Sequence, residues 1–348
     1  QGGVDSMKRG AFWLALLLVL SVFASGCGQK TPEDVVGDLS SNLEKISGYK
    51  SNAELTLQTG STPQVYDVSV WYEKPTNYRV ALTSKQRNIT QIILRNDEGV
   101  FVLTPHLNKS FRFQSGWPEN NGPLYLYETL ARSIIEDTER KMESVNNEYV
   151  FEVKANYSGN RSLTKQKIWM TEDFKPTKAE IMDSNMNKLV EIKFTDFVFN
   201  PQFDKDAFDK DRNMTSALTA IPTMAAIEET ETQPNSQFGV IEPTYVPEGV
   251  KQASIETIKR EEGRVISLEY SGVYNYKLME SRPTAATVSY EQGMPLDLGF
   301  TIGVLTQDSQ NQRMLTWELD GVEFTLIGDL PEEEMVQVAQ STYGVGGK

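Results

Sequence analysis

The sequence predicts an α+β protein: a strongly curved antiparallel sheet with helices on its inner face, followed by a smaller α+β domain. Three observations predict it. From Ala53 to Phe199, short apolar segments alternate with period two, and turn residues separate them. Two other segments, one ahead of the strands and one among them, switch to steps of three and four. The alternation then lapses over residues 216–237 and resumes with a new set of turns.

The chain of 348 residues is long enough for two domains. Its first segment is expected to be removed. Met7 is the expected initiator, with Gln1–Ser6 as extra residues ahead of it. Lys8 and Arg9 form a basic start, Ala11–Leu20 is an unbroken apolar run, and small residues lead up to Cys27. That layout is a secretory signal, too short to span a membrane in the mature protein. Ala24-Ser25-Gly26-Cys27 resembles the bacterial lipobox, which implies cleavage between Gly26 and Cys27 and a diacylglycerol on the cysteine thiol. Residues 1–26 are therefore expected to be signal and 27–30 a lipidated tether. Cys27 is the only cysteine, so no internal disulfide exists and a free thiol in an exported chain is accounted for. Several acyl chains on one residue, palmitate among them, make a stable anchor at about 0.8 kcal/mol per buried methylene. The expected location is the cell membrane, facing its extracytoplasmic side.

A first helix opens at Thr31-Pro32, a cap followed by a residue suited to the first turn. Val36, Leu39, Leu43 and Ile46 form its apolar face, and Gly48 is the expected stop. Strands follow around Ala53–Leu57, Val68–Tyr72, Tyr78–Leu82, Ile92–Leu94, Val100–Leu103 and Phe111–Phe113. A second helix is expected from Pro123, with Leu126, Tyr127, Leu130 and Ile134 on one face. Strands return at Tyr149–Val153, Gln166–Met170, Lys178–Met182, Leu189–Phe194 and Phe197–Phe199. Consecutive short strands joined by turns make a meander, and a curved one buries both helical stripes. The first domain is thus 31–215, the linker 216–237 and the second domain 238–348. In the second domain, strands are expected at Val265–Tyr270, Tyr276–Glu280, Gly299–Leu305, Met314–Leu319 and Val322–Ile327. Asp320-Gly321 is a tight hairpin turn, and a helix opening at Leu330-Pro331-Glu332 carries Met335, Val338, Ala339 and Thr342 on its apolar face.

Several motifs in the first domain resemble the LolA/LolB lipoprotein-carrier superfamily. They are Ile46-Ser47-Gly48-Tyr49, Trp71-Tyr72-Glu73-Lys74-Pro75-Thr76-Asn77-Tyr78-Arg79, and Asn96-Asp97-Glu98-Gly99 running on to Pro105. Ile168-Trp169-Met170 with Pro176-Thr177-Lys178, and Val190–Phe199 leading to Pro201 and Asp206-Ala207-Phe208, complete the series. The resemblance implies an unclosed β-barrel capped by helices, with a cavity that takes acyl chains. The second domain resembles a C-terminal domain of unknown function in Gram-positive sporulation lipoproteins of the YdcC type. Its matching pieces are Val246-Pro247-Glu248-Gly249, Ser267-Leu268-Glu269-Tyr270, Trp317-Glu318-Leu319-Asp320-Gly321 and Leu330-Pro331-Glu332-Glu333-Glu334. A related germination lipoprotein, GerS, is an amidase partner. The resemblance therefore implies a binding protein or scaffold in the cell envelope, in sporulation or germination, with a cell-wall amidase as one kind of partner. A carrier of acyl chains or lipoproteins is the alternative, weakened because a carrier is not usually anchored.

Net charge is −14, and residues 226–348 hold 20 acids against 8 bases. Such a surface repels phosphate backbones, so nucleic acid is not an expected partner. The one histidine, His106, lies between two strands in an expected turn, and the one cysteine is consumed by lipid. No phosphate-binding loop, dinucleotide fingerprint or metal-ligand spacing occurs, so no catalytic residue, cofactor or metal is expected. The acids of Asp204–Asp211 lack the glycine and terminal glutamate of a calcium loop. A carboxylate-based cell-wall hydrolase is a second alternative, ranked last because acid pairs need cleft geometry. Trp71, Trp117, Trp169 and Trp317 are expected in the core or at its rim, with Trp71 and Trp169 as candidates for lining an acyl-sized cavity.

Overall fold

The computed structural model describes residues 30–58, 63–118, 122–155, 157, 163–219, 238–260, 263–307 and 312–343. Cys27, Gly26 and residues 220–237 of the expected linker lie outside them. The first helix, α1 (Pro32–Lys45), is capped as the sequence indicates: Thr31 Oγ1 accepts the Asp34 N–H at 3.2 Å, and Asp34 Oδ2 accepts the Thr31 N–H at 3.1 Å. This reciprocal box contributes about 1 kcal/mol. Gly48 is not the helix stop, since Ile46 is the C-cap. It is the first residue of the next strand, where a Cβ would stand 2.2 Å from the Tyr72 carbonyl oxygen. Close approach of two strands, not helix termination, requires glycine there.

Six strands follow: β1 (Gly48–Leu57), β2 (Gln64–Glu73), β3 (Asn77–Ser84), β4 (Thr90–Asn96), β5 (Gly99–Thr104) and β6 (Lys109–Gln114). Helix α2 (Tyr127–Glu136) begins four residues later than expected, because Leu126 holds an extended conformation and serves as its N-cap. Then come β7 (Lys141–Val145), β8 (Glu148–Lys154), β9 (Lys165–Thr171), β10 (Pro176–Met182), β11 (Lys188–Phe199) and α3 (Lys210–Thr219). The two final segments expected in this half are one strand, β11, with an irregularity where it pairs with Asn52-Ala53. The remainder contains β12 (Val250–Arg260), β13 (Gly263–Gly272), β14 (Tyr276–Ser281), β15 (Thr287–Asp297), β16 (Ile302–Gln307), β17 (Arg313–Leu319), β18 (Val322–Gly328) and α4 (Glu332–Gln340). Asp320 and Gly321 have φ of 51° and 74°, the left-handed pair that a two-residue hairpin demands.

The pairings run β7-β8-β9-β10-β11-β1-β2-β3-β4-β5-β6, all antiparallel. At β6 the ladder continues into β15, the one parallel pairing among the described residues, with Phe111 beside Val288 and Phe113 beside Tyr290. It then runs β15-β16-β17-β18-β14-β13-β12, antiparallel again. The result is one curved, unclosed sheet whose described edges are β7 and β12. On the inner face of the first half, alternate residues of the strands meet Val35, Val36 and Leu39 of α1 and Leu130, Ala131 and Ile134 of α2 in one core. A second core lies beneath α4, where Met335, Val338 and Ala339 join Leu268, Leu278, Trp317 and Leu326. A third, small cluster sits on the outer face, where Phe208 packs on Ile92, Leu94, Phe101 and Leu103.

Candidate functional site

The inner face of the first half is the surface that a carrier-like fold would offer to a ligand. Here it is occupied by the chain's own aromatic side chains. Tyr49 of β1 stacks on Phe197 of β11 at 5.3 Å between ring centres, and Tyr72 of β2 stacks on Tyr78 of β3 at 4.5 Å. Trp117 and Tyr127 meet this group edge-on. Tyr125, Leu126 and Tyr127 are fully buried at the entry to α2, which explains why that entry is apolar rather than capped. Each of these strand residues lies in phase with the buried positions of its strand, such as Val68, Val70 and Tyr72 on β2.

One carboxylate stands among the rings. Glu128, in the first turn of α2, accepts the Tyr49 hydroxyl at 2.9 Å and the Tyr78 hydroxyl at 3.4 Å. Burial raises its pKa, and the hydrogen bonds pull it back. Tyr49 Oη in turn accepts the Tyr127 N–H at 3.1 Å. Glu128 serves as an acceptor that ties two strands, β1 and β3, to α2.

The second half reaches into this interior. Ile302 and Val304 of β16 are buried members of the first core. The turn before them is held by side chains of β2, β4 and the loop after β3. Tyr66 Oη and Arg87 Nη2 donate to the Phe300 carbonyl at 2.5 and 2.7 Å. Gln91 receives the Ile302 N–H at 2.8 Å and donates to its carbonyl at 3.3 Å, standing in for a neighbouring strand. Lys109 pairs with Glu323, Arg87 with Asp320 at 3.5 Å, and His106 faces Glu318 at 3.9 Å. The two spaces at this junction measure about 20 and about 10 Å³, room for about one water each. Two larger openings lie away from it, about 330 Å³ beside α1 at Asn42, Phe174 and Phe199 and about 350 Å³ on the outer face of β1–β3 at Glu54, Asp67 and Lys85.

The two tryptophans named as candidates for lining a cavity lie on the outer face. Trp71 is out of phase with Val70 and Tyr72 and lies on the outer face, beside Phe203 at 5.9 Å and under the Arg79 guanidinium at 4.5 Å. Trp169 alternates with buried Ile168 and Met170 and is covered by Lys178, 3.7 Å from its ring centre. Period-two alternation, applied strictly, already separates them from the inner face. His106 sits in a short 3-10 turn, Pro105–Leu107, between β5 and β6, and burial lowers its pKa. The acids of 204–211 serve the fold: Arg212 pairs with Asp204 and Asp206, and Asp209 accepts the Arg212 N–H at 2.7 Å. Asn213, in a sequon, is buried and bonded to Arg79 and to the carbonyls of Ala207 and Asp209.

Residues 7–208 match the family described as sporulation protein YdcC-like. Sporulation protein YdcC of Bacillus subtilis (strain 168) is 40% identical over 346 residues, 98% of this chain and 99% of that protein. The chain belongs to the YdcC-like family of sporulation proteins. Residues 240–341 match a domain of unknown function, DUF4367, so the YdcC-like chain carries both parts of the arrangement that its sequence motifs resemble. Among solved structures, MucB in complex with the periplasmic part of MucA covers 89% of the YdcC-like chain and 98% of its own, at 14% identity and a TM-score of 0.31. A putative outer membrane lipoprotein-sorting protein domain from Vibrio parahaemolyticus covers 53% and 100%, at 15% identity and a TM-score of 0.32.

Proposed function

We propose that this YdcC-like protein is a lipid-anchored, extracytoplasmic binding protein or scaffold of sporulating cells, attached to the membrane through Cys27 and without catalytic activity of its own. The observation that carries the reading is the occupied interior. Tyr49, Phe197, Tyr125 and the inserted Ile302 and Val304 fill the face on which a carrier would hold an acyl chain. Ligand pockets for molecules of that size measure about 300–1,000 Å³, and the two openings of about 330 and 350 Å³ lie elsewhere, one beside α1 at Asp38, Asn42 and Lys45 and one on the outer face of β1–β3 at Glu54, Asp67 and Lys85. What remains for recognition is outer surface and sheet edge, which suits a protein partner, a cell-wall enzyme such as an amidase among them. The basic, apolar, small-residue order ending at Cys27 supports the anchor, and family membership supports sporulation as the process.

Membrane-extracted protein should begin at Cys27 and carry acyl mass, and Cys27→Ser should move it to the soluble fraction. Another mature N-terminus, or an unmodified cysteine, would remove the anchor from the account. His106→Ala, folded and anchored, should leave sporulation intact. Loss of function from that change alone contradicts the non-catalytic reading.

A further inference from the structure

We propose that the free edge strand β12 is a docking strand that takes an extended, acidic segment of a protein partner by strand addition. The open sheet ends on β7 at one side and β12 at the other. The two edges are unlike. β7 is 5 residues long, whereas β12 is 11 and, among the described residues, pairs with β13 alone. A break in register at Ala253 leaves Ser254–Arg260 in continuous pairing with Gly263–Glu269. The next strand inward, β14, covers β13 only from Ile266 to Tyr270. The rungs Ile258–Val265, Lys259–Arg264 and Arg260–Gly263 therefore run on past the sheet as a two-stranded arm. The outward N–H and C=O groups of such an edge are a template for another strand.

The exposed side chains support the same reading. Ile255, Ile258 and Val273 are three of the six large hydrophobic residues that stay exposed among the described residues. Ile255 and Ile258 lie on β12, and the Val273 N–H bonds to Gly249 at its start. Ile255 stands opposite fully buried Leu268, on the core side of the sheet, yet is 44% exposed because the sheet ends there. One added strand would cover it and extend the second core by a row. Lysines on an edge also serve to repel unwanted strands, but an edge built only to repel has no use for two exposed isoleucines.

Charge selects the occupant. Residues 226–348 carry 20 acids and 8 bases, yet β12 carries Lys251, Lys259 and Arg260 against Glu256 alone. No ion pair joins those three bases to another described residue. A basic strand on an acidic body favours an acidic segment. It disfavours a second copy: an antiparallel pairing that brings two Ile255 side chains together also sets Lys259 against Lys251.

The proposal rests on the binding reading, and the test keeps the two apart. The photoreactive residue p-benzoylphenylalanine is placed at position 257 of the anchored protein in sporulating cells, and at position 144 on β7 as a control. Position 257 should give one protein adduct and position 144 none, with the linked peptide mapping to an acidic stretch that alternates with apolar residues. Lys259→Glu with Arg260→Glu should lower the adduct yield tenfold or more at unchanged protein level, with Lys259→Glu alone as a milder second variant. No adduct at 257, an adduct to the same chain, an adduct to lipid, or a yield indifferent to both variants overturns the proposal. A sporulation defect on removing the chain, together with silence at 257, removes only this surface and leaves the binding reading standing.

Discussion

The interior of the first half and its junction with the second are both buried, but different forces hold them. The interior is joined by ring on ring: Tyr49 on Phe197, Tyr72 on Tyr78, Tyr127 against Phe199. Its polar atoms are few and mostly mutual, as with Tyr49, Glu128 and Tyr127. The junction is joined by side chains that bond to backbone, with Gln91, Arg87 and Tyr66 holding Phe300 to Ile302. Apolar burial is strong and indifferent to exact placement, whereas hydrogen bonds contribute less but fix position. The contrast explains how a strand from one half enters the core of the other in a single register.

Tyr49→Ala should be the most damaging change. It removes a fully buried ring and leaves Glu128 and the Tyr127 N–H short of a partner, for a loss of about 3–5 kcal/mol in denaturant unfolding. A loss below 1 kcal/mol would mean that the rings do not hold the interior. Gln91→Leu keeps the volume but orphans both backbone groups of Ile302. We expect about 2 kcal/mol, with faster hydrogen exchange at Ile302 than in α2. Equal exchange at the two places would erase the distinction between interior and junction.

Glu280, in the second core, sharpens the comparison through pH. It is fully buried, both its oxygens accept the Ile241 N–H at 3.2 Å, and burial pushes its pKa from 4.5 up to about 7. The folded protein thus holds this proton more tightly than the unfolded chain. Stability should fall as pH rises from about 4.5 through about 7 and be level above that. Glu280→Gln should flatten the fall, worth on the order of 3 kcal/mol. An unchanged pH profile in the variant would assign the proton elsewhere. The smallest effect belongs to the outer face. Trp169→Ala should cost about 1 kcal/mol or less, mostly its contact with Lys178, and leave the unfolding of the interior cooperative.

Most of the sheet was legible because a half-buried strand alternates, and the strands from β1 to β6 do so plainly. The segments that escaped were β7, β12 and β15. The first two are the edges, exposed on both faces, so no apolar period marks them. The third is exposed over its first half, where it bridges the two halves. The candidate site was less legible. Trp71 and Trp169 drew notice by size, although neighbouring Val70, Tyr72, Ile168 and Met170 already gave the phase that turns them outward. The insertion of Ile302 and Val304 rests on contacts more than two hundred residues apart, such as Gln91 with Ile302, which no local pattern carries.

The claim that the interior is filled by the chain itself is tested most directly by native mass spectrometry of the Cys27→Ser protein, which lacks the anchoring thiol and is purified without detergent. The account predicts a single species at the mass of the chain alone. A second species heavier by a fatty acid or phospholipid, lost when Ile302→Asp is introduced into the same interior, would contradict it and return the protein to the acyl-carrying alternative.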